Sequence, residues 1–175
     1  MSDPNHQHFE TAVLVHLEAA YNLARWLLGD VASAEDAVQS ACLKAMRGLG
    51  SMTGPNPKAW FMAVVRNCCT DQLRERKTQS SQDEYDDDLH GHHGHAVSAE
   101  GNAVRAEEVR RVRESIAALP MEFREVIVLR ELEGMSYKEI SAVVKVPIGT
   151  VMSRLSRARE RLAECLADQR ERRSS

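Results

Sequence analysis

Apolar residues recur every three or four positions along most of the chain, which is the periodicity of amphipathic α-helices. The first run covers about residues 9 to 28 and ends at Gly29-Asp30. A second run begins near Ser33, where Ser-Ala-Glu-Asp has the spacing of a helix-capping box, and its expected buried stripe contains Val38, Ala41, Cys42, Ala45 and Leu49. Two amphipathic helices are therefore predicted before residue 50.

A third helical run covers about residues 58 to 77. The stretch GLGSMTGPNP at 48–57 separates it from the second run, and its glycines and prolines predict a loop. Trp60, Val64 and Cys68 are expected to face inward on this helix. The three runs together predict a small helical domain over residues 1–77.

The pattern disappears in the segment 78–103. It contains six acids, Asp83, Glu84, Asp86, Asp87, Asp88 and Glu100, the histidine-rich run HGHHGH, and no Lys or Arg. Such a composition is typical of a flexible, solvated linker. A second domain is therefore expected over residues 104–175, and the fold class is predicted as all-α, with two small helical domains.

The second domain carries clear helix boundary signals. Apolar spacing resumes near Val104, Pro120 precedes a run with Phe123 and Val126, and Glu133-Gly134 ends that run. Ser136-Tyr-Lys-Glu139 is a capping box, and Pro147 precedes the last helix. A short capped helix, a turn of about four residues and a second helix form a helix-turn-helix pattern.

The last helix begins with GTVMSRLSRARERL, residues 149–162, and has two distinct faces. The residues expected to pack inward are Ile148, Val151, Leu155, Ala158 and Leu162. Ser153, Ser156 and Arg157 fall on the opposite face, and Arg157 could donate to guanine or to phosphate. The amides of Gly149-Thr150 are further candidates for a phosphate. A solvated helix with ion pairs such as Arg157 to Glu160 is the alternative interpretation, and this helix alone leaves both open.

Charge and composition restrict the class of protein. The 175 residues carry a net charge of -3. The six acids of the linker account for this negative charge, so basic residues outnumber acidic ones in the rest of the chain. No apolar run reaches the roughly 20 residues needed to span a bilayer, and no secretory leader is visible, so a cytoplasmic protein is expected. The four cysteines lack CxxC spacing and are interpreted as reduced thiols.

The histidines of HGHHGH, His90 to His95, raise the possibility of a metal site. Imidazole is a common metal ligand, but a metal site needs ligands held by a rigid structure, and no rigid structure is predicted for this segment. Carboxylate or cysteine partners at ligand spacing are also missing on the predicted helices. A spacer is the preferred interpretation, so no metal, no cofactor and no metal-dependent enzyme are expected.

The motifs of both halves resemble one family. LPMEFREVIVLRELEGMSYKEISAVVKVPIGTVMSRLSRARERL, residues 119–162, resembles the promoter-binding domain of extracytoplasmic-function sigma factors, which are specificity subunits of bacterial RNA polymerase. ASAEDAVQSACLKAMRGL resembles the family's core-binding helix, and NPKAWFMAVVRNCCTDQLRERK resembles its helix for the minus-ten element. The matches occur in the family's order.

This resemblance implies a function and its residues. The chain would bind the beta-prime clamp helices and beta flap of core RNA polymerase, read promoter DNA and start transcription without a catalytic site of its own. An anti-sigma factor would control it. The implied core-binding residues are Glu35, Asp36 and Gln39. The implied minus-ten residues are Asn56, Lys58, Arg66, Asn67, Thr70, Arg74 and Lys77. The implied minus-thirty-five residues are Thr150, Ser153, Arg154, Ser156 and Arg157.

The alternative function is a conventional helix-turn-helix regulator that binds duplex DNA alone as a dimer. It predicts a dimerisation helix and a palindromic site. It leaves the motifs of the N-terminal half without a role.

Overall fold

A computed structural model describes residues 9–48, 50, 52, 56–80 and 103–174, and all regular secondary structure within these residues is helical. The all-α prediction is therefore confirmed. Leu49, most of the loop before residue 56 and the linker residues 81–102, including His90 to His95, lie outside the described residues.

Within the described residues, a short helical segment at 9–12 precedes α1 (Leu17–Leu28), α2 (Val31–Gly48) and α3 (Pro57–Ser80) in the N-terminal half. The predicted first helix is not continuous, because a 3-10 turn at Leu14–His16 interrupts it before α1. α1 ends at Gly29, whose φ of 87° is left-handed and whose amide donates to the carbonyl of Arg25 at 3.0 Å. A glycine takes this conformation without steric cost, so the tight turn into α2 is possible.

The cap of α2 is Asp30 and not Ser33. The Asp30 Oδ1 accepts the backbone N–H of Ser33 at 2.8 Å, which is the geometry of an N-cap three residues before its donor. The Ser33 hydroxyl instead accepts a hydrogen bond from the Arg76 guanidinium of α3, which also pairs with Asp30 at 3.2 Å. The expected capping role of Ser33 is therefore wrong, and the start of α2 is bound to the end of α3.

α2 packs through alanines. Its fully buried residues are Ala34, Ala37, Ala41 and Ala45, whereas Val38 and Cys42 of the expected stripe are only half-buried. Small side chains let helix backbones approach closely, so α2 lies tightly against α1 and α3. The predicted stripe is thus confirmed at Ala41 and Ala45, but it omits Ala34 and Ala37 and places Val38 and Cys42 too deep.

The buried face of α3 is also rotated from the predicted one. Phe61, Met62, Val65, Cys68 and Cys69 are buried. Trp60 and Val64 are half-buried and pack at the edge of the core. Trp60 therefore contributes to packing, although less deeply than expected.

The C-terminal half contains α4 (Ala103–Ala117), α5 (Met121–Ile127), α6 (Tyr137–Val144) and α7 (Ile148–Ser174). Pro120 is the N-cap residue of α5, and a π-helical turn at Val128–Leu132 extends that helix to Glu133-Gly134. The expected capping box is confirmed, because the Ser136 hydroxyl accepts from the Glu139 N–H while the Glu139 carboxylate accepts from the Ser136 N–H. Val109 and Val112 of α4 are each 42% exposed, so part of the apolar face of that helix is left uncovered.

The two halves pack against each other. α3 lies against α6, and α1 lies against α5. The Arg124 guanidinium of α5 donates to the Trp26 carbonyl of α1 at 3.0 Å. Among the residues described, no helix is long and apolar enough to cross a membrane.

Asp30→Ala should lower the free energy of unfolding by about 1 to 2 kcal/mol, because it removes the cap of α2. Ser33→Ala should cost less, since it removes the hydroxyl that contacts Arg76 and Asp30 but leaves the Asp30 carboxylate bound to the Ser33 amide. Urea denaturation of the two variants measures both values. Equal losses, or a larger loss for Ser33→Ala, would contradict the assignment of Asp30 as the cap.

Candidate nucleic-acid and polymerase interfaces

The helix-turn-helix consists of α6, a three-residue turn at 145–147, and α7. Lys145 has a left-handed φ of 56°, and the Ser141 hydroxyl donates to the Val146 carbonyl at 2.6 Å. Val143 of α6 and Val151 of α7 are both fully buried. The turn is one residue shorter than expected and holds the two helices in one packed unit.

Three of the five predicted inward residues of α7 are fully packed. Val151, Leu155 and Ala158 are at most 1% exposed, and Leu162 packs at the core's edge. Ile148 is 43% exposed, so its expected burial is wrong. It is the first residue of α7 and therefore lies beyond the helices that cover the rest of the stripe.

The opposite face of α7 is exposed, as predicted. Ser153, Ser156 and Arg157 all lie on it. The Ser156 hydroxyl donates to Glu160 at 3.2 Å, and within the described part of the chain no ion pair joins Glu160 to Arg157. The guanidinium of Arg157 therefore remains available to a ligand, which favours the nucleic-acid interpretation over the ion-pair alternative.

The other two residues assigned to the minus-thirty-five element have internal partners. The Thr150 amide donates to the Pro147 carbonyl at 2.9 Å, so the suggestion that this amide is free for a phosphate is wrong. Arg154 is 24% exposed at its side chain and lies 3.4 Å from Glu125. Arg159, further along α7, pairs with Glu131 at 2.6 Å.

The acidic face of α2 is exposed. Glu35, Asp36 and Gln39 all lie on the outside of the helix, beside Tyr21 and Val38.

Sequence reasoning missed the apolar continuation of this face. Leu43 is 51% exposed and Met46 is 58% exposed. They stand seven and ten residues after Asp36, so they share its side of the helix. The spacing of Leu43 and Met46 from Asp36 could have revealed this apolar area in the sequence. It was overlooked because apolar residues on α2 were expected to pack inward.

The predicted minus-ten residues of α3 fall into two groups. Arg74 is 82% exposed at its side chain, with Asp71 at 3.9 Å, and Lys77 is also exposed. Asn67 and Thr70 are half-buried, and the Thr70 hydroxyl donates to the Asn67 carbonyl at 2.8 Å. The exposed end of α3 is thus the accessible part of the predicted surface.

Arg66, Asn56 and Lys58 contact the C-terminal half. Arg66 donates two hydrogen bonds to Glu125, at 2.7 and 3.2 Å. Lys58 donates to the Glu133 carbonyl at 2.9 Å. Asn56 caps α3 by accepting from the Ala59 N–H and donates its own amide to Glu139. Three predicted strand-opening residues therefore bind acidic residues of the other half.

Nothing in the sequence indicated that three acids, Glu125, Glu133 and Glu139, would contact the N-terminal half. Glu125 is 1% exposed, and it contacts Arg66 of α3 and Arg154 of α7 together. Hydrogen bonding to the Ser136 amide, followed by contributions from the Ser136 hydroxyl, Asn56 and Lys58, holds the pKa of Glu139 below its usual value. A run of helix-forming residues gives no signal for partners that are distant in sequence.

The four cysteines are free thiols. Burial, and secondarily the neighbouring Cys68, raises the pKa of Cys69 to about 12. Burial also raises the pKa of Cys68, against the opposing effect of Lys44. Among the residues described, no group of His, Cys, Asp or Glu is arranged to hold a metal ion.

The halves of the chain match known proteins in the same order. The family profile of Sigma-70 region 2 matches residues 13–79, and that of Sigma-70, region 4 matches residues 110–162. The RNA polymerase sigma-H factor of Pseudomonas aeruginosa is 32% identical over 165 residues, which cover 90% of this chain and 86% of that protein. The ECF RNA polymerase sigma-E factor of Escherichia coli is 37% identical over 139 residues, which cover 75% of this chain and 71% of that protein.

Two solved structures share the fold. The sigma factor RpoE of Bartonella quintana, in complex with the anti-sigma factor NepR, superposes with a TM-score of 0.73 at 30% identity, covering 91% of this chain and 96% of that chain. CnrH, in complex with the cytosolic domain of CnrY, gives a TM-score of 0.65 at 25% identity, covering 91% and 88%.

The chain therefore belongs to the extracytoplasmic-function sigma factors. Its function is to join core RNA polymerase, to recognise a bipartite promoter and to direct the initiation of transcription.

Arg157→Ala should weaken binding to duplex DNA of the upstream promoter element by about 1 to 3 kcal/mol if the side chain reads a base, with relaxed specificity at one position. Arg159→Ala is the matched control, because Arg159 already pairs with Glu131, and its effect should be smaller. Fluorescence anisotropy with single-base variants of the duplex measures both. An equal loss of affinity on every sequence would indicate that Arg157 contacts a phosphate and not a base.

Cys69 should resist alkylation in the folded protein. With a pKa of about 12, only about one thiol in ten thousand is ionised at pH 8, whereas about a quarter of ordinary exposed thiols are. Mass spectrometry after a short pulse of iodoacetamide should show Cys69 modified far more slowly than the half-buried Cys165. Rapid modification of Cys69 in the folded chain would contradict its burial.

Proposed function

We propose that the chain recognises a promoter through α7 and α3 and binds core RNA polymerase through α2. α7 reads the minus-thirty-five element with Ser153, Ser156 and Arg157, supported by Thr150 and Arg154. The observation that supports this most directly is the outward face of α7, which is small, polar and exposed, with Arg157 not engaged by any described acid. Small residues let the helix approach the major groove, and arginine supplies donors for guanine.

α2 carries the surface for core RNA polymerase. Glu35, Asp36 and Gln39 supply acceptors for a basic partner, and the exposed Leu43 and Met46 add apolar area beside them. Apolar residues next to a charged face are typical of protein interfaces, in which burial stabilises the complex and charge orients it. The beta-prime clamp helices are the proposed partner of this face, and the C-terminal half is assigned to the beta flap.

α3 and the residues before it open and hold the DNA. Asn56, Lys58, Arg66, Asn67, Thr70, Arg74 and Lys77 form the proposed surface for the minus-ten element. Donors of this kind hold the backbone and edges of an unstacked strand, and these contacts offset the few kcal/mol that unstacking costs. The polymerase performs the chemistry, so this chain acts as a specificity subunit in the cytoplasm without a catalytic site.

An anti-sigma factor is the proposed regulator. Of the two solved structures described above, RpoE was determined with the anti-sigma factor NepR and CnrH with the cytosolic domain of CnrY. In this chain an apolar groove of about 540 Å³ lies between the halves, with Trp26, Val109, Val112 and Leu132 along it. Exposed valines and leucine in a concave groove suit an amphipathic partner helix.

Run-off transcription tests the proposal. The purified chain mixed with core RNA polymerase should yield a transcript from a template with both promoter elements and none from a template that lacks either. A promoter-specific transcript without the chain, or no transcript with it, would overturn the assignment. A dimer that binds palindromic duplex DNA without polymerase would instead support the conventional regulator.

Asp36→Arg should weaken association with core RNA polymerase by about tenfold, on the order of 1.4 kcal/mol, because it reverses the charge of the proposed face. Glu164→Arg makes the same change of charge at an exposed position of α7 and serves as the matched control. Titration of labelled protein against core polymerase measures both affinities. If the two substitutions lowered the affinity equally, the change in net charge would explain the loss, and the proposed role of α2 would be rejected.

A further inference from the structure

Exposed apolar surface in the C-terminal half lies in two places. The large apolar side chains exposed among the described residues of this half are Val109, Val112, Leu132, Ile148 and Met152. The first three line the groove between the halves. The other two, Ile148 at 43% and Met152 at 52% exposure, belong to the first two turns of α7. Single exposed apolar residues are normal on a protein surface, but these two are close together at the end of α7 that would enter DNA.

Met152 borders the serine face of α7. Ile148 and Met152 are four residues apart, so they are neighbours on the same side of the helix. At 3.6 residues per turn, Met152 lies only about 40° around the helix axis from the exposed Ser156. In a helix-turn-helix the N-terminal residues of the second helix reach the edges of the bases. Met152 therefore lies on the part of α7 that would face the major groove.

The two serines of this face have used their hydroxyl donors within α7. The Ser153 hydroxyl donates to the Thr150 carbonyl at 3.0 Å, and the Ser156 hydroxyl donates to the Glu160 carboxylate at 3.2 Å. A hydroxyl has one proton to donate, so each serine can only accept from a base. The long side chains beside the serines are therefore the stronger candidates for distinguishing one base from another.

The chemistry of a methionine side chain matches one base. The major groove displays hydrogen-bond donors and acceptors on every base pair, and in addition the C5-methyl group of thymine. A thioether carries no charge and no donor, so Met152 gains free energy mainly by burying apolar surface. Its flexible chain can adapt to a methyl group as the helix docks. An exposed methionine in the groove therefore favours thymine over the other three bases.

We propose that Met152 is a specificity-determining residue, which selects thymine in the upstream promoter element by packing against its methyl group. Ile148 extends the apolar contact. Arg157 lies about 140° around the helix axis from Met152, at the other edge of the serine face, so the two side chains read different base pairs. The inference rests on the proposed function of α7 and names one base that this helix reads.

The test removes the methyl group from the DNA. Holoenzyme is assembled from core RNA polymerase and the full chain, and the promoter duplexes that it binds are selected from a library with a randomised upstream element. Each thymine of the selected element is then replaced by uracil, which lacks only the methyl group. Wild-type holoenzyme should bind about fourfold more weakly at one or two of these positions, the effect expected for one methyl group that is no longer buried. A selected element without thymine, or full affinity for every uracil duplex, would overturn the inference.

The protein is varied on the same duplexes. Met152→Ala should weaken binding to the thymine duplex by at least about fourfold and remove the response to uracil, because the methyl group has lost its partner. Met152→Leu keeps an apolar side chain of similar size and should retain the response. Fluorescence anisotropy measures the affinities. If Met152→Ala holoenzyme still lost affinity fully on uracil duplexes, another group would read the methyl, and the role of Met152 would be rejected.

The matched control is Val15→Ala. Val15 is 67% exposed on the 3-10 turn before α1, outside the surfaces proposed for DNA and polymerase. The substitution shortens an exposed apolar side chain, as Met152→Ala does. It should leave both the affinity and the response to uracil at the wild-type values. An equal loss of affinity in this control would assign the effect to the truncation of any exposed apolar residue and would overturn the inference.

Different outcomes identify failure of the inference and failure of the proposed function. A wild-type holoenzyme that selects no upstream element and gives no run-off transcript would reject the function, and the role of Met152 with it. A holoenzyme that transcribes from the selected promoter but binds thymine and uracil duplexes equally would reject the role of Met152 alone. If Met152→Ala instead weakened the association of the chain with core RNA polymerase, the exposed pair would be a polymerase contact, and its assignment to thymine would be rejected.

Discussion

The carboxylate of Glu125 is the constraint on which the arrangement of the two halves depends. It is buried where α3, α5 and α7 meet, and a charge in that position requires partners. Arg154 meets this requirement from within the C-terminal half, and Arg66 adds a second pair from the N-terminal half. The helix-turn-helix and α3 thereby share one counter-charge, although 59 residues separate Arg66 from Glu125 in the chain.

Local packing explains why the other surfaces remain exposed. α2 buries a face made of Ala34, Ala37, Ala41 and Ala45, so its larger side chains Leu43 and Met46 are left outside with the acids. α7 buries Val151, Leu155 and Ala158, which leaves the serines and Arg157 outside. In both helices the buried stripe of small or apolar residues determines which face is exposed, and that exposed face is the one for which we propose a function. A sigma factor needs this arrangement because each half must present a surface to a large partner while it keeps a core of its own.

Periodicity predicted the features that are local in sequence. The existence of the helices, the Ser136-Glu139 capping box, the end at Gly134 and the two faces of α7 all follow from residues within one or two turns. The misplaced features depend on neighbours outside the helix concerned. Ile148 is exposed because no element covers the first turn of α7, and the cap of α2 is Asp30, whose carboxylate also meets Arg76 of α3. The contacts of Glu125, Glu133 and Glu139 could not be predicted, since each joins segments far apart in the chain.

The distance between α3 and α6 in the free chain tests the shared ion cluster most directly. Spin labels on ketone-bearing unnatural amino acids at Glu75 and Lys138 leave the native cysteines untouched, and both positions are exposed. Pulsed electron paramagnetic resonance should give a short, narrow distance distribution, because Arg66 and Arg154 bind the same carboxylate of Glu125. A broad, long distribution would contradict the packing of the two halves around Glu125.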